Sequence, residues 1–230
     1  MQKEFIDKLQ ENIKSGKKKI LLVSATGSGK TYAAALGCKK IEAKRVLFVM
    51  DKQKVLEDSM RTFMNIMPEK KATDFSLLCG GKEFNTSAHY IFSTPHMILS
   101  EIEKKSSILT PDYFDFLILD EVHHLGLSKK AKSCSNKRGE SNQYRLIMQY
   151  FKPNLGTLGM TATPIRMDGY DIISDFDNNV ACRFSLSDSL SANLVCPFFY
   201  FGIDDAYFSD DAATFFKKIN KKIGKDKCEK

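Results

Sequence analysis

Short runs of apolar and β-branched residues recur along the chain, and each is followed by a longer stretch of mixed polarity. Six such runs occupy residues 20–24, 46–50, 75–79, 90–93, 116–119 and 155–160. Short apolar runs without alternation are typical of strands that are buried on both faces. Because these strands alternate with helical segments, the pattern predicts an α/β fold with a mainly parallel sheet sandwiched by helices.

The stretches between the runs have helical periodicity. Residues 52–64 and 144–151 each place their apolar side chains on one face at helical spacing. In folds of this kind, ligands bind beyond the carboxyl ends of the strands. The residues that directly follow each apolar run are therefore the candidates for a functional site.

The composition is that of a folded protein. Of the 230 residues, 43% are hydrophobic and 27% are charged. No run reaches the roughly 18 uncharged apolar residues of a membrane span, and the first residues mix acidic and basic side chains, unlike a signal peptide. We therefore expect a cytoplasmic protein with no membrane partner. The six cysteines are widely spaced, so they predict free thiols rather than a zinc site or a disulfide framework.

The net charge of +7 is concentrated in two segments. Residues 129–138 and residues 217–230 each carry +5, and the rest of the chain carries −3. Such segments contact phosphates in some proteins and are solvated in others, so the charge alone does not predict nucleic-acid binding. The sequence changes character near residue 204. We expect one domain over residues 1–204, with residues 205–230 as a linker or the start of a further domain.

The sequence SATGSGKT at residues 24–31 lies between a predicted strand and a predicted helix. Its glycines allow backbone N–H groups to turn toward an anion, and the following helix points its positive end at the same place. The pattern predicts a phosphate loop, with Lys30 on the β- and γ-phosphates and Thr31 on Mg²⁺. Ser24 stands where the general pattern has a glycine. The nucleotide-binding candidates in this loop are Thr26, Gly27, Ser28, Gly29, Lys30 and Thr31.

A pair of carboxylates, Asp120 and Glu121, follows the apolar run at residues 116–119. A phosphate loop needs such a partner at the end of another strand. Asp120 is placed to hold Mg²⁺, and Glu121 to orient or deprotonate the water that attacks the γ-phosphate. Together with Lys30, these two residues are the predicted catalytic groups.

Three segments in this order, residues 24–31, DEVH at residues 120–123 and TAT at residues 161–163, resemble motifs I, II and III of superfamily 2 DExH-type helicases and translocases. The segment GMTATP at residues 159–164, followed by Arg166, Asp168 and Gly169, is similar to DEAD/DEAH-box helicase family proteins related to the motor (res) subunits of restriction enzymes. The resemblance covers residues 2–204 and implies a RecA-like P-loop NTPase fold, the first domain of a helicase motor.

The resemblance also implies roles for residues outside the phosphate loop. Gln2 is similar to the glutamine that reads adenine. His123 completes the DExH motif and, like Thr161 and Thr163, couples hydrolysis to domain movement. The adjacent His124 lies outside the four-residue motif.

Two segments resemble motifs Ia and Ib, which line the nucleic-acid track in this family. The residues concerned are Asp51 and Lys52 in the first segment and Thr94 and Pro95 in the second. A helix cap with proline in the first turn is an equally good explanation of Thr94 and Pro95.

The function that the resemblance implies is Mg-ATP hydrolysis by the N-terminal ATP-binding motor domain of an ATP-dependent DNA helicase or translocase. Its cofactors are ATP and Mg²⁺, and its partners are nucleic acid, DNA rather than RNA, and a second RecA-like domain of the same polypeptide that carries the arginine finger. Only 26 residues follow Asp204, so we expect half of a motor, with weak or no turnover on its own. The alternatives are the motor of a type I or III restriction system, an RNA helicase, and a non-catalytic module in which nucleotide gates docking.

Overall fold

The structure is a computed structural model that describes residues 2–80, 84–104, 107–125, 143–165 and 171–196. Its strands are β1 (Lys19–Ser24), β2 (Val46–Val49), β3 (Phe75–Leu78), β4 (Tyr90–Ser93), β5 (Phe116–Asp120), β6 (Gly156–Thr161) and β7 (Val180–Phe184). Its α-helices are α1 (Gln2–Lys14), α2 (Lys30–Lys40), α3 (Gln53–Ile66), α4 (Pro95–Glu103), α5 (Gln143–Tyr150) and α6 (Leu186–Ser191). The 3-10 helices Ala72–Asp74, Val122–Leu125 and Ile172–Phe176 complete the elements described.

Within the described residues the seven strands form one sheet in the order β3-β4-β2-β5-β6-β1-β7, and every pairing is parallel. This arrangement confirms the predicted α/β fold and all six predicted strands. The seventh strand, β7, was not predicted. It lies at the edge of the sheet, where the sequence VACRF includes an exposed arginine and has no long apolar run.

The two faces of the sheet are covered by different helices. Helices α1, α2 and α3 bury residues such as Phe5, Cys38 and Phe63 on one face. Helices α4 and α5, with the 3-10 helices Val122–Leu125 and Ile172–Phe176, cover the other face. Each fully buried aromatic or aliphatic side chain contributes about 1.5–3 kcal/mol to folding by this burial. The sheet is therefore fixed from both sides, and its ends are rigid supports for a site.

The parallel topology brings the carboxyl ends of the strands to one edge of the sheet. The loop after β1, Asp120 at the end of β5 and Thr161 at the end of β6 lie on neighbouring strands of this edge. The ends of β2 and β4 continue it, because Val49 is in register with Ser93. The fold thus collects at one edge the candidate residues that are far apart in sequence.

All of the elements above belong to one compact unit that extends to Val195. In the part of the chain that the structure describes, no helix has the length and apolar character needed to cross a membrane. Several sequence predictions lie outside the described residues: the basic loop at residues 129–138, the motif residues Arg166, Asp168 and Gly169, and the segment from residue 197, which includes the predicted domain boundary at residue 204.

Candidate nucleotide-binding site

The loop between β1 and α2 has the backbone of an anion-binding loop. Gly27 and Gly29 have φ values of 79° and 86°, in the left-handed region that glycine adopts without strain. Gly29 is the N-cap residue of α2 and has no side chain with which to cap the helix. The first N–H groups of α2, at the positive end of the helix dipole, therefore suit an anion.

Lys30 holds its positive charge inside the loop. Its side chain is buried, and Nζ donates hydrogen bonds to the carbonyl oxygens of Ser24 at 3.1 Å and Ala25 at 3.3 Å. A buried ammonium with only neutral acceptors is costly, and a phosphate oxygen is a stronger acceptor for it. The residues present therefore fit a nucleotide phosphate group.

Ser24 departs from the general phosphate-loop pattern, and the structure shows why a serine fits there. Ser24 is the last residue of β1 and is fully buried, and its φ is not in the left-handed region. Its hydroxyl lies 2.6 Å from the hydroxyl of Ser28, which also donates to the carbonyl oxygen of Ala25 at 2.7 Å. These hydrogen bonds tie the start of the loop to its centre, a contact that the sequence pattern did not reveal.

The other predicted nucleotide-binding residues surround this loop. Thr26 is exposed on its outer side, and Thr31 is half-buried in the first turn of α2. The side chain of Gln2 reaches the same place from α1, since a methyl group at Gly29 would lie 3.0 Å from Nε2 of Gln2. The structure thus brings Gln2 beside the phosphate loop although 27 positions separate it from Gly29.

Asp120 is a buried carboxylate at the end of β5, 5% exposed. Its Oδ1 accepts a hydrogen bond from the backbone N–H of Glu121 at 3.0 Å. Burial and the neighbouring charge of Glu121 raise the pKa of Asp120 to about 6, while the positive charge of Lys30 acts in the opposite direction. Lys30 in the phosphate loop and Asp120 at the end of β5 are therefore near enough for their charges to interact, although β6 separates their strands.

Glu121 has an unusual backbone for a residue other than glycine, with φ of 53°. Residues in this region cost free energy and persist where their surroundings fix them, often at functional sites. Oε2 of Glu121 lies 3.1 Å from Nδ1 of His123. This contact with His123 is the main cause of a lowered pKa of Glu121, to which Lys30 also contributes. Glu121 is therefore an ionised carboxylate at neutral pH.

The two carboxylates fit a divalent cation. Burial makes the charged form of Asp120 unfavourable, and a cation beside it would offset that cost. Thr31 lies in the first turn of α2, after β1, and one strand, β6, separates β1 from the β5 strand of Asp120. Oxygen ligands of this kind are those that Mg²⁺ prefers in nucleotide sites.

The predicted coupling residues lie at the ends of β5 and β6. His123 contacts Glu121, as described above. Thr161 is fully buried, and its hydroxyl accepts a hydrogen bond from the N–H of Thr163 at 3.1 Å. The two threonines therefore contact each other in a turn at the end of β6.

The predicted nucleic-acid residues lie at the ends of β2 and β4. Asp51 and Lys52 are exposed just before α3. Thr94 is the N-cap residue of α4 and Pro95 its first residue, as predicted, but the Thr94 hydroxyl makes no capping hydrogen bond. The structure therefore places these residues next to each other at the edge that also carries the nucleotide-site candidates.

Two features of this edge were missed by sequence reasoning. Nε2 of His124 lies 3.3 Å from Oδ2 of Asp51, which joins the end of β2 to the turn after β5. A cavity of about 490 Å³ opens beside Thr26 between the ends of β1, β6 and β7, where Arg183 and Leu186 line it. Neither has a local sequence signal, because the residues come from separate segments.

The raised pKa of Asp120 gives a prediction about stability. Its pKa is about 6 in the folded protein, against 3.8 for an ordinary aspartate, so between these pH values the folded state holds a proton that the unfolded chain has already lost. The free energy of unfolding therefore falls as the pH rises from about 4 to about 6. Above this range the buried carboxylate is charged, and the full cost of burying that charge lowers the stability. We expect Asp120→Asn to raise the free energy of unfolding at pH 8 by about 1–2 kcal/mol, with less effect near pH 4.

Urea unfolding without nucleotide or Mg²⁺ at several pH values measures this effect. Asp7→Asn, on the exposed part of α1, is the matched control and should leave the pH dependence unchanged. A lower stability of Asp120→Asn at pH 8 would contradict the expectation.

The fold and the site together define a class of protein: a RecA-like α/β domain with a phosphate-loop motif between β1 and α2. The family described as type III restriction enzyme, res subunit, matches residues 1–166, and the chain belongs to this family. The resemblance that the sequence motifs indicated is confirmed. The chain is a helicase-type motor domain of the kind found in restriction enzyme subunits and helicases.

Curated relatives are much longer than this chain. It is 25% identical over 203 residues to a type I restriction enzyme EcoAI endonuclease subunit from Escherichia coli, a match that covers 86% of this chain and 23% of the relative. It is 28% identical over 158 residues to the RNA polymerase-associated protein RapA from Actinobacillus succinogenes, which covers 64% of this chain and 15% of the relative. The chain therefore spans less than a quarter of the length of either relative.

Solved structures show the same fold. A nuclease-deletion mutant of the type ISP restriction-modification enzyme LlaGI, in complex with a DNA substrate mimic, matches all of this chain and 22% of its own, with a TM-score of 0.61 and 17% identity. The Hef helicase domain of Pyrococcus furiosus matches 85% of this chain and 40% of its own, with a TM-score of 0.60 and 16% identity. These likenesses confirm the RecA-like fold.

Proposed function

We propose that this chain is the N-terminal motor domain of an ATP-dependent DNA helicase or translocase, and that residues 1–204 hydrolyse Mg-ATP in response to nucleic acid. The observation that carries the proposal is the placement of buried Lys30, after β1, at the same edge of the sheet as Asp120 and Glu121, at the end of β5. A phosphate-binding cation, a buried metal-binding carboxylate and an ionised base are the groups that phosphoryl transfer to water requires.

The phosphate loop binds the nucleotide. Lys30 exchanges its hydrogen bonds to the carbonyl oxygens of Ser24 and Ala25 for bonds to the phosphates, and the N–H groups at the start of α2 bind the same oxygens. Gln2, beside Gly29, is placed to read the adenine base. Thr31 and Asp120 would hold Mg²⁺, which would neutralise charge on the phosphates.

Glu121 carries the chemical step. Its ionised carboxylate orients a water molecule in line with the bond from the γ-phosphorus to the bridging oxygen and accepts the proton as the water attacks. The water oxygen forms a new bond to phosphorus, the bond to ADP breaks, and ADP leaves. His123, 3.1 Å from Glu121, orients the carboxylate, and Thr161 and Thr163 transmit the change at the end of β6.

The proposal includes a second RecA-like domain that supplies an arginine to the transition state. An arginine of this kind is worth about 10³–10⁵ in rate. In this proposal residues 1–204 are the first domain, and residues 205–230 are a linker or the start of a further domain. We expect ATP turnover by this chain well below about one per second, and turnover near that rate would contradict the requirement.

Asp51, Lys52, Thr94 and Pro95 form the proposed nucleic-acid track at the ends of β2 and β4. Contacts of this type go to phosphate and sugar and carry little sequence information, so they position the polymer. The relation to LlaGI, whose structure was solved with a DNA substrate mimic, favours DNA over RNA. Use of ATP and DNA also accords with a cytoplasmic location.

The second candidate is the motor of a type I or III restriction system. The family match and the relation to the EcoAI subunit favour this setting. The two candidates share the same nucleotide chemistry and differ in the subunits with which the motor works.

Replacement of Lys30 tests the nucleotide site. We expect Lys30→Ala to weaken ADP binding in the presence of Mg²⁺ by about 10- to 100-fold, because a charge-assisted hydrogen bond contributes roughly 1.5–3 kcal/mol. Isothermal titration calorimetry measures the affinity. Lys19→Ala is the matched control, since Lys19 lies at the start of β1, the strand that precedes the loop, is partly exposed and pairs with Asp177.

The same preparation tests hydrolysis. ATP turnover is measured with Mg²⁺ alone and then with duplex DNA, single-stranded DNA or RNA. If the folded wild-type chain does not bind ADP, the proposed function is wrong. If ADP binds but ATP is not hydrolysed with any polymer even when the second RecA-like domain is supplied, the chain is a non-catalytic module that nucleotide gates.

A further inference from the structure

His124 lies outside the DExH motif and outside the nucleotide site described above, yet it is held by two other parts of the chain. Its Nε2 lies 3.3 Å from Oδ2 of Asp51, at the end of β2. Its ring stacks on the ring of Tyr144, with centroids 6.0 Å apart and an interplanar angle of 22°. Tyr144 belongs to α5 and is 1% exposed, so it is a rigid support for the imidazole.

The contact between His124 and Asp51 is too exposed to be explained by stability. The side chains are 43% and 40% exposed, and ion pairs with such exposure contribute little to folding. The fold has its core on either side of the sheet without this pair. The contact does, however, connect the end of β2 to the turn after β5.

On its other side, His124 contacts the residue that touches Glu121. The rings of His123 and His124 lie 4.3 Å apart, with an interplanar angle of 38°, and Nδ1 of His123 lies 3.1 Å from Oε2 of Glu121. Asp51, His124, His123 and Glu121 therefore form a continuous series of contacts. It joins the end of β2 to the strained residue that carries the proposed chemical step.

The Asp51 end of this series belongs to the proposed nucleic-acid track. Asp51 immediately precedes Lys52, and both are exposed at the start of α3. A phosphate that binds at Lys52 repels the Asp51 carboxylate and favours its contact with His124. Binding of a polymer thereby restrains His124, then His123, and through it the orientation of Glu121.

We infer that His124 is a positioning residue that couples nucleic-acid binding at the β2–α3 junction to the orientation of Glu121. This inference rests on the proposed function, because it requires that the chain binds both a nucleotide and a polymer. It assigns to His124 a role that its place outside the DExH motif did not indicate. By reciprocity, nucleotide and polymer must each change the other's affinity by the same factor.

The test is the ratio of two dissociation constants for a short fluorescent DNA duplex, measured by anisotropy without nucleotide and with Mg²⁺ and a non-hydrolysable ATP analogue. We expect the wild-type ratio to differ from one by about fivefold or more. His124→Phe keeps the rings stacked but removes Nε2, and its ratio should fall to one. His124→Gln restores a nitrogen donor near the position of Nε2 and should recover most of the wild-type ratio.

Two controls separate coupling from a general structural effect. His89→Phe changes another histidine beside a carboxylate, 3.5 Å from Asp74 and remote from the site, and should keep the wild-type ratio. Urea unfolding should give the same stability for both His124 variants. A purely structural role would change stability or shift both affinities together, and would leave their ratio unchanged.

Each outcome decides one of the two proposals. If nucleotide and duplex both bind but the wild-type ratio is one, or if His124→Phe keeps the wild-type ratio, the inference is wrong and the proposed function stands. It is also wrong if both His124 variants lose the coupling. If the wild-type chain binds neither the ATP analogue nor the duplex, the proposed function fails and the inference fails with it.

Discussion

Replacement of Glu121 by glutamine is expected to lower the rate of ATP hydrolysis by about 10²- to 10⁴-fold, which is the usual contribution of a general base. Glutamine has nearly the same shape but cannot accept the proton of the attacking water. The affinity for nucleotide should change by less than about threefold, because Lys30 and the loop after β1, rather than Glu121, bind the phosphates. Single-turnover hydrolysis of radiolabelled ATP and an ADP titration measure the two quantities.

Glu42 provides a close control for this substitution. It is also a glutamate with φ in the left-handed region, at 54°, but it is exposed after α2. Glu42→Gln should leave both the rate of hydrolysis and the affinity for nucleotide unchanged. This result would show that replacing a glutamate with a left-handed backbone is not by itself the cause of the loss in Glu121→Gln. Unchanged hydrolysis in Glu121→Gln would remove the role of base from this residue. A parallel loss of nucleotide affinity would point to a damaged site instead.

A large loss of stability is expected from a methyl group at Gly159, in the centre of the sheet. Its φ is not in the left-handed region, so the backbone itself accepts alanine. The new methyl group would overlap Cζ of Phe176 and lie 2.7 Å from Cε1 of the same ring. Phe176 is fully buried. We expect Gly159→Ala to lower the free energy of unfolding by about 3 kcal/mol, at the upper end of the usual cost of overpacking.

A second substitution distinguishes this clash from other effects. Phe176→Leu replaces the aromatic ring with a smaller side chain and leaves a cavity, which lowers the stability. In the double variant the methyl group fills part of that cavity, so the total loss should be smaller than the sum of the single losses by about 1–2 kcal/mol. Urea unfolding of the four proteins measures this difference. Strict additivity would show that Gly159 and Phe176 do not compete for the same space.

The resemblance identified Gly159 only as part of the segment GMTATP. The structure adds a packing reason, since the absent side chain leaves room for the 3-10 helix Ile172–Phe176 against β6. This helix follows the end of β6 and leads toward β7. The glycine therefore allows the segment after the TAT motif to pack closely on the sheet, beside the proposed coupling residues.

Much of the fold was predictable because its signals are local. Buried parallel strands are short apolar runs, and six of the seven strands were found in this way. Edge strand β7 was missed because it pairs with only one strand among the described residues, β1, and half-exposed positions break the apolar run. Its absence from the prediction also hid the cavity beside Thr26, which β7 helps to line.

The candidate site was predictable to a similar extent. The phosphate loop and the carboxylate pair Asp120 and Glu121 each have a contiguous motif, and the roles assigned to them remain predictions. The contact between Ser24 and Ser28 and the contact between His124 and Asp51 had no such motif. Both contacts join side chains that meet only after the chain has folded. In the second contact, Asp51 follows β2 and His124 follows β5.

The sequence by itself determined that this chain is a P-loop α/β domain related to restriction-enzyme motors, because hydrophobic periodicity and contiguous motifs depend only on residues that are close together in sequence. Only the tertiary structure decided which groups act on one another. Parallel pairing placed Lys30, Asp120 and Glu121 at one edge, burial raised the pKa of Asp120, and packing on Tyr144 put His124 against Asp51. Electrostatic and packing interactions depend on distance and burial in space, and spacing along the chain does not specify either one.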